Sequence, residues 1–161
     1  IVSGAWKKVP NELKDSYRKA AFVGGISTRI TEPPFVYLDK NYIRMFGNIT
    51  KTLEAVKDIL GEKVIQVRGE TRDIEKESIE AVENGADILM IDTGNMKDIA
   101  RVSNTLKKQS LRENIKIAFA GGIRIENIRS LLKEDVDILD IGREIVDAPL
   151  LDMSLEVKGK I

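Results

Sequence analysis

The sequence predicts an α/β fold: a parallel βα barrel, incomplete or open, of the TIM-like kind. Three observations point there. From about residue 49 onward, short apolar runs alternate with amphipathic stretches of helical period, the pattern that lays helices over a parallel sheet. The run Ile88-Leu89-Met90-Ile91 is apolar at every position, as a parallel strand buried on both faces requires. The chain has 161 residues, whereas a complete eight-fold barrel needs roughly 200 or more.

The elements follow in order. Residues 1–48 are the least regular part, with a strand-like Ile1-Val2-Ser3, a helix over 11–21, a turn at Gly24-Gly25 and a strand over 35–38. Pro33-Pro34 leads rigidly into that strand. Asn48 is placed to cap a helix with Leu53, Val56, Ile59 and Leu60 on one face, and Gly61 to stop it. A strand over 64–67 precedes a helix over 73–84 that turns Ile74, Ile79 and Val82 inward and ends at Gly85. After the apolar run come Asp92, the turn Thr93-Gly94-Asn95 and a helix to about 108. A strand over 115–119, the Gly121-Gly122 turn, a helix over 126–132 and a strand over 138–141, closed by Gly142 and Arg143, complete the pattern. With no low-complexity tract and no long linker, a single domain over 1–161 is expected. Ile1 in place of a methionine, followed at once by strand-like residues, leads us to expect further sequence upstream.

Composition removes several function classes. With no Cys there is neither a disulfide framework nor a thiolate metal site, and no signal peptide is visible, so the cytoplasm is the expected compartment. The absence of His removes imidazole acid–base chemistry and the Ser-His and Cys-His nucleophile systems. Lys plus Arg and Asp plus Glu both number 26, which gives no net field to attract nucleic acid or an anionic membrane surface. No apolar run approaches the roughly 20 residues of a membrane span.

In βα barrels, chemistry sits just past the C-terminal ends of the strands. Those positions hold Lys7, Asp39-Lys40-Asn41, Arg68 with Glu70, Asp92, Gly121-Gly122 and Gly142-Arg143. A Gly-Gly turn between strand and helix lets backbone N–H groups reach an anion with no Cβ in the way, and a helix start behind it adds a favourable dipole. On the next strand, Arg143 can clasp phosphate oxygens. The alternative is a pair of tight turns with Arg143 solvated or ion-paired. Asp92 ends an apolar strand, where a lone carboxylate is costly, so it calls for a metal ion, a ribose hydroxyl or a cation such as Arg68. Arg68 and Lys7 are candidate anion binders at the mouth, or plain surface charge. Glu70 and Asp73 fit a solvated or capping role, and Trp6 fits core packing better than a pocket wall.

These residues also resemble a known family. Val23-Gly24-Gly25, Arg29, Phe35-Val36-Tyr37-Leu38-Asp39-Lys40-Asn41-Tyr42-Ile43, Gly85-Ala86-Asp87-Ile88-Leu89-Met90-Ile91-Asp92, Ala120-Gly121-Gly122-Ile123 and the tail Ala148-Pro149-Leu150-Leu151-Asp152-Met153-Ser154-Leu155-Glu156-Val157 run in an order and spacing similar to the barrel domain of quinolinate phosphoribosyltransferase, the carboxylating nicotinate-nucleotide pyrophosphorylase. The resemblance implies that quinolinate reacts with phosphoribosyl pyrophosphate, with Mg²⁺, to give nicotinate mononucleotide, pyrophosphate and CO₂ on the route to NAD. It also implies a homo-oligomer and an N-terminal sandwich domain, which is absent from these 161 residues.

Carried over position by position, the resemblance makes Lys7 and Asp92 catalytic, with Asp92 also on the metal. Arg29, Lys40 and Arg68 then face the substrate, and Gly121, Gly122, Gly142 and Arg143 hold phosphate. The family's arginine before Lys7 is Trp6 here, its histidine before Arg29 is Thr28, its Lys-Asp order reads Asp39-Lys40, its metal-side glutamate falls on Arg68, and its serine before the glycine pair is Ala120. The ribose-phosphate end is therefore kept and the dicarboxylate end altered. Three functions stay open: a phosphoribosyltransferase acting on quinolinate or a related acid, a non-catalytic or regulatory paralogue that binds a phosphoribosyl ligand, and another sugar-phosphate barrel enzyme.

Overall fold

Strands that are apolar on both faces must lie between two layers. The computed structural model, which describes residues 1–149, 151–156 and 158–159, builds them into one parallel sheet. Its strands β1 (Phe35–Leu38), β2 (Glu62–Val67), β3 (Ile88–Asp92), β4 (Lys116–Ala120) and β5 (Ile138–Asp140) lie side by side in chain order. The helices are α1 (Asn11–Val23), α2 (Lys40–Phe46), α3 (Ile49–Glu54), α4 (Ile74–Glu83), α5 (Lys97–Lys108), α6 (Ile128–Leu131) and α7 (Arg143–Val146). Beyond β5 the layer continues through two parallel bridges, Val2 to Asp140 and Val2 to Ser27. Thr28 and Ile30 then share a cavity with Phe35, Tyr37 and Met90, so the layer has curled until its far side faces β1. This is a partial TIM-like α/β fold.

Alternation along the strands sorts two cores. Ile65, Val67, Leu89, Ile91, Ile117, Phe119 and Leu139 point under the helices. Val64, Ile88, Met90 and Ala118 fill the barrel, with Ile30, Phe35, Tyr37, Ala120 and Ile138 packed against them. All four residues of the apolar run are at most 1% exposed, and burying each side chain contributes about 1.5–3 kcal/mol. Register stacks the barrel residues in layers: Gln66, Met90, Ala118 and Ile138 form one, and Asp92, Ala120 and Asp140 the next toward the mouth. Two carboxylates therefore flank one alanine, on strands two apart.

At the opposite end, Arg112 donates to both oxygens of Asp135, to Asp137 and to the Ile115 carbonyl. The hydrogen bond from Arg112 holds the Asp135 carboxyl well below the usual carboxylate range.

β1 matches the predicted strand to the residue. The helix predicted to run from Asn48 to Leu60 does not. Asn48 caps α3 as expected, accepting from Lys51 N–H at 2.8 Å, but the helix ends at Glu54. The chain then tightens into bonds from Val56, Lys57 and Ile59 N–H to carbonyls three residues back. The tightening delivers Gly61 against Pro34, where a Cβ would lie 2.1 Å from the carbonyl oxygen. Val56 stays buried, while Ile59 and Leu60 turn out to solvent. The helix predicted over 126–132 is also broken, into a 3-10 turn at Ile125–Asn127 and the single turn of α6. The strand-like start is reduced to a single bridging residue, Val2, and Asp73 stands at the α4 N-cap without a capping bond. Among the described residues, no helix is long and apolar enough to cross a membrane.

Candidate functional site

The β4 end is shaped by a close approach of two turns. Gly121 has φ +99° and Gly122 φ +66°, and a Cβ on Gly121 would lie 2.7 Å from Gly94 N and 2.9 Å from its Cα. Gly94 N–H reaches the Ala120 carbonyl at 3.4 Å, tying the turn after β3 to the turn after β4. No protein acceptor among the described residues takes the N–H of Gly122, Ile123 or Gly142, while Gly121 N–H continues the β4–β5 ladder toward the Asp140 carbonyl. All four residues line one cavity of about 320 Å³, together with Lys7, Lys8 and Arg143, and with Asp92 and Asp140. Free backbone donors beside cations are what a phosphate requires. With so short a helix behind the loop, the donors and side chains rather than a dipole supply the attraction. Arg143 is exposed and pairs with Asp147 at 2.9 Å, a pair weak enough for an anion to displace.

Across the mouth the charges are already answered. Asp92 Oδ2 accepts from Gln66 Nε2 at 2.6 Å and from Arg68 Nη1 at 3.2 Å. Arg68 also faces Glu70, which Arg44 grips with two bonds of 2.9 Å. Arg68 lines neither this cavity nor its neighbour. Lys40 lines neither as well; its backbone N–H bonds Gln66 Oε1, so its part here is to hold Gln66 under Asp92. Asp39 caps α2 through Asn41 and Tyr42 N–H. Glu77, 1% exposed, fastens the loop after β2 by accepting from the N–H groups of Arg68, Gly69, Thr71 and Arg72. Sequence reading gave Glu77 no role because its partners lie across a turn.

A second cavity, of about 280 Å³, shares Gly4, Lys7 and Asp140 with the first. Its walls include Trp6, Phe35 and Tyr37, with Arg29 at the rim. Trp6 combines the two roles considered for it, since its ring stacks on the Arg18 guanidinium at 4.0 Å, Nε1 donates to Thr28 O at 3.1 Å, and it walls the cavity. Lys7 Nζ stands 5.9 Å from the centre of the Tyr37 ring. Burial, then the carboxylates Asp140, Asp92 and Asp39, push the Tyr37 phenol up, so it remains a donor. Asp140 was not singled out by sequence. Burial raises its carboxyl above the ordinary value, opposed by the Gly4 N–H and Lys7. Its only signal was an Asp breaking the apolar run 138–141 at an inward position.

Gln66 and Arg68 already occupy Oδ2 of Asp92, a cation stands beside the carboxylate, and among the described residues no three carboxylates converge to hold a metal. This donor set does not fit a metal held by the protein itself.

Comparison with known proteins places these features in one family. The family model "Quinolinate phosphoribosyl transferase, C-terminal domain" matches residues 5–156. The nicotinate-nucleotide pyrophosphorylase (carboxylating) of Dictyostelium discoideum is 31% identical over 158 residues, covering 98% of this chain and 51% of that protein. The probable enzyme of the same name from Methanothermobacter thermautotrophicus is 28% identical, covering 96% and 55%. The chain thus spans about half the length of the curated relatives it matches. NadC from Streptococcus pyogenes superposes with a TM-score of 0.68 at 19% identity, covering 89% of this chain and 47% of that one, which shows the fold. Leu150 and Val157 of the tail motif lie outside the described residues. With the family model matching residues 5–156, the chain belongs to the quinolinate phosphoribosyl transferase C-terminal domain family.

Proposed function

We propose that residues 1–161 form the phosphate-binding barrel domain of a phosphoribosyltransferase that joins phosphoribosyl pyrophosphate to quinolinate or a related ring acid. The observation that carries this reading is the set of free N–H donors around the 320 Å³ cavity, with Lys7, Lys8 and Arg143 beside them. The glycine loop and Arg143 receive the 5′-phosphate. Asp92 accepts a ribose hydroxyl through Oδ1, the oxygen on the Gly121 side. Lys7, common to both cavities, faces the pyrophosphate and the acid at once. The ring nitrogen lone pair forms the bond to C1′ as the C1′–O bond breaks, and pyrophosphate leaves with that electron pair. With quinolinate, loss of CO₂ leaves a pair on the ring carbon, which takes a proton. Magnesium serves the pyrophosphate as its counter-ion in solution and is not placed on a protein ligand. The protein works in the cytoplasm as a homo-oligomer.

The Arg68–Asp92 pair favours a second reading, binding of a phosphoribosyl ligand without turnover, because it neutralises the carboxylate nearest the reacting sugar. Two measurements separate these. Calorimetric titration with ribose 5-phosphate should show binding in both cases, and its absence would remove the phosphate site. Labelled quinolinate with phosphoribosyl pyrophosphate and Mg²⁺, supplied to the full-length protein, should give labelled nicotinate mononucleotide only if turnover is retained.

A further inference from the structure

The organic half of the ligand is constrained by a residue that the proposed chemistry does not use. Asp140 lies on the wall common to the two cavities. Oδ1 accepts the Gly4 N–H at 3.3 Å, and among the described residues Oδ2 accepts from no donor. The ionisable side chains of the second cavity other than Tyr37 are Lys7, Arg29 and Asp140. One carboxylate thus answers one of two cations, which leaves charge for a single carboxylate on the ligand. A second ligand carboxylate would meet Asp140 at close range in a half-buried site, where like charges repel strongly. An N–H or O–H on the ligand would instead complete the bonding of Oδ2, a charge-assisted hydrogen bond. The walls of Trp6, Phe35 and Tyr37 suit a flat ring.

We infer that Asp140 is a specificity-determining residue that selects an aromatic monocarboxylate bearing a hydrogen-bond donor over a dicarboxylate such as quinolinate. The inference rests on the phosphoribosyl-transfer reading only in taking this cavity as the acid's place.

The test is calorimetry on the full chain, with ribose 5-phosphate present at saturating concentration and also absent. The titrants are quinolinate, nicotinate, 2-aminonicotinate and 6-aminonicotinate. At least one aminonicotinate should bind tenfold or more tightly than nicotinate, and quinolinate should be the weakest. In Asp140→Asn, whose amide oxygen can still accept from Gly4, the amino preference should fall below threefold and quinolinate should gain fivefold or more. Quinolinate binding the native chain as tightly as the aminonicotinates overturns the inference, as does an amino preference that survives in Asp140→Asn. Should that variant not fold, the ligand order on the native chain decides alone. Ribose 5-phosphate binding with the wrong acid order sinks only the role of Asp140. The right acid order without ribose 5-phosphate binding supports Asp140 and sinks the phosphate site.

Discussion

The two sides of the barrel mouth are built from different materials. On the β4–β5 side the groups that face a ligand are mostly main chain: N–H donors of Gly122, Ile123 and Gly142, with the loop fixed by the contact of Gly121 with Gly94. On the β2–β3 side they are side chains, and Arg68, Asp92, Gln66, Glu70 and Arg44 satisfy one another. A main-chain site depends on glycines and turn lengths, so substitutions around it leave it intact. A side-chain site is rewritten by each substitution within it. Of the two sides, the β2–β3 side is therefore the one that a few substitutions can remake.

The largest effect should come from Gly121→Ala. A non-glycine residue at φ +99° is strained by about 1–3 kcal/mol, and its Cβ would drive the Gly94 turn away. Thermal melting should fall and ribose 5-phosphate affinity should drop by more than tenfold; unchanged affinity would mean that the loop donors do not bind phosphate. Arg112→Met, at the far end of the barrel, calibrates this result. It removes charged hydrogen bonds of about 1.5–3 kcal/mol each, yet should leave ligand affinity in the folded protein within twofold.

The Arg112 change also has a pH signature. Asp135 has its carboxyl depressed in the folded state, so its contribution is present above the unfolded pKa of about 3.9 and is lost as pH falls through the folded value. The stability gap between native chain and Arg112→Met, followed by urea melts, should therefore be constant near neutrality and narrow below about pH 4. A gap that widens in acid would contradict the Asp135 assignment.

Smaller effects sharpen the contrast between the halves. Arg143→Ala should weaken ribose 5-phosphate roughly three- to tenfold, since a charged hydrogen bond is worth about 1.5–3 kcal/mol less what the exposed Asp147 pair already holds, and should not move the melting temperature. Arg68→Ala should alter stability by less than about 1 kcal/mol, its pair with Asp92 being partly exposed, and ribose 5-phosphate titration should show no more than a twofold change. A loss as large as that of Gly121→Ala would show that the two halves act as one.

Legibility in the sequence followed the same division. β1, the apolar β3 and the glycine turns were readable because each is set by local backbone preference or an unbroken apolar run. The truncation of α3 was not, since the pattern of Leu53, Val56, Ile59 and Leu60 suits a longer helix and only the approach of Gly61 to Pro34 ends it. Among site residues, Gly121, Gly122, Gly142, Arg143, Lys7 and Asp92 were found from their places after strands and do meet in one cavity. Arg29 lines the neighbouring cavity, while Arg68 and Lys40 line neither. Gln66, Glu77 and Asp140 went unnoticed because their roles depend on register and on partners across the fold, which periodicity does not encode.

The contact between Gly94 and Gly121 bears on how such a domain can change over time. Because the two turns touch through main-chain atoms, an insertion in either displaces the other, and their lengths are fixed as a pair. Among the described residues the loop after β2 has no such main-chain contact with a neighbouring turn and is fastened by side chains, chiefly Glu77. Loop grafts and insertions should accordingly be tolerated between Gly69 and Asp73 and rejected in the turns Thr93–Asn95 and Gly121–Ile123, so the freedom to acquire a new substrate lies on one side of the mouth.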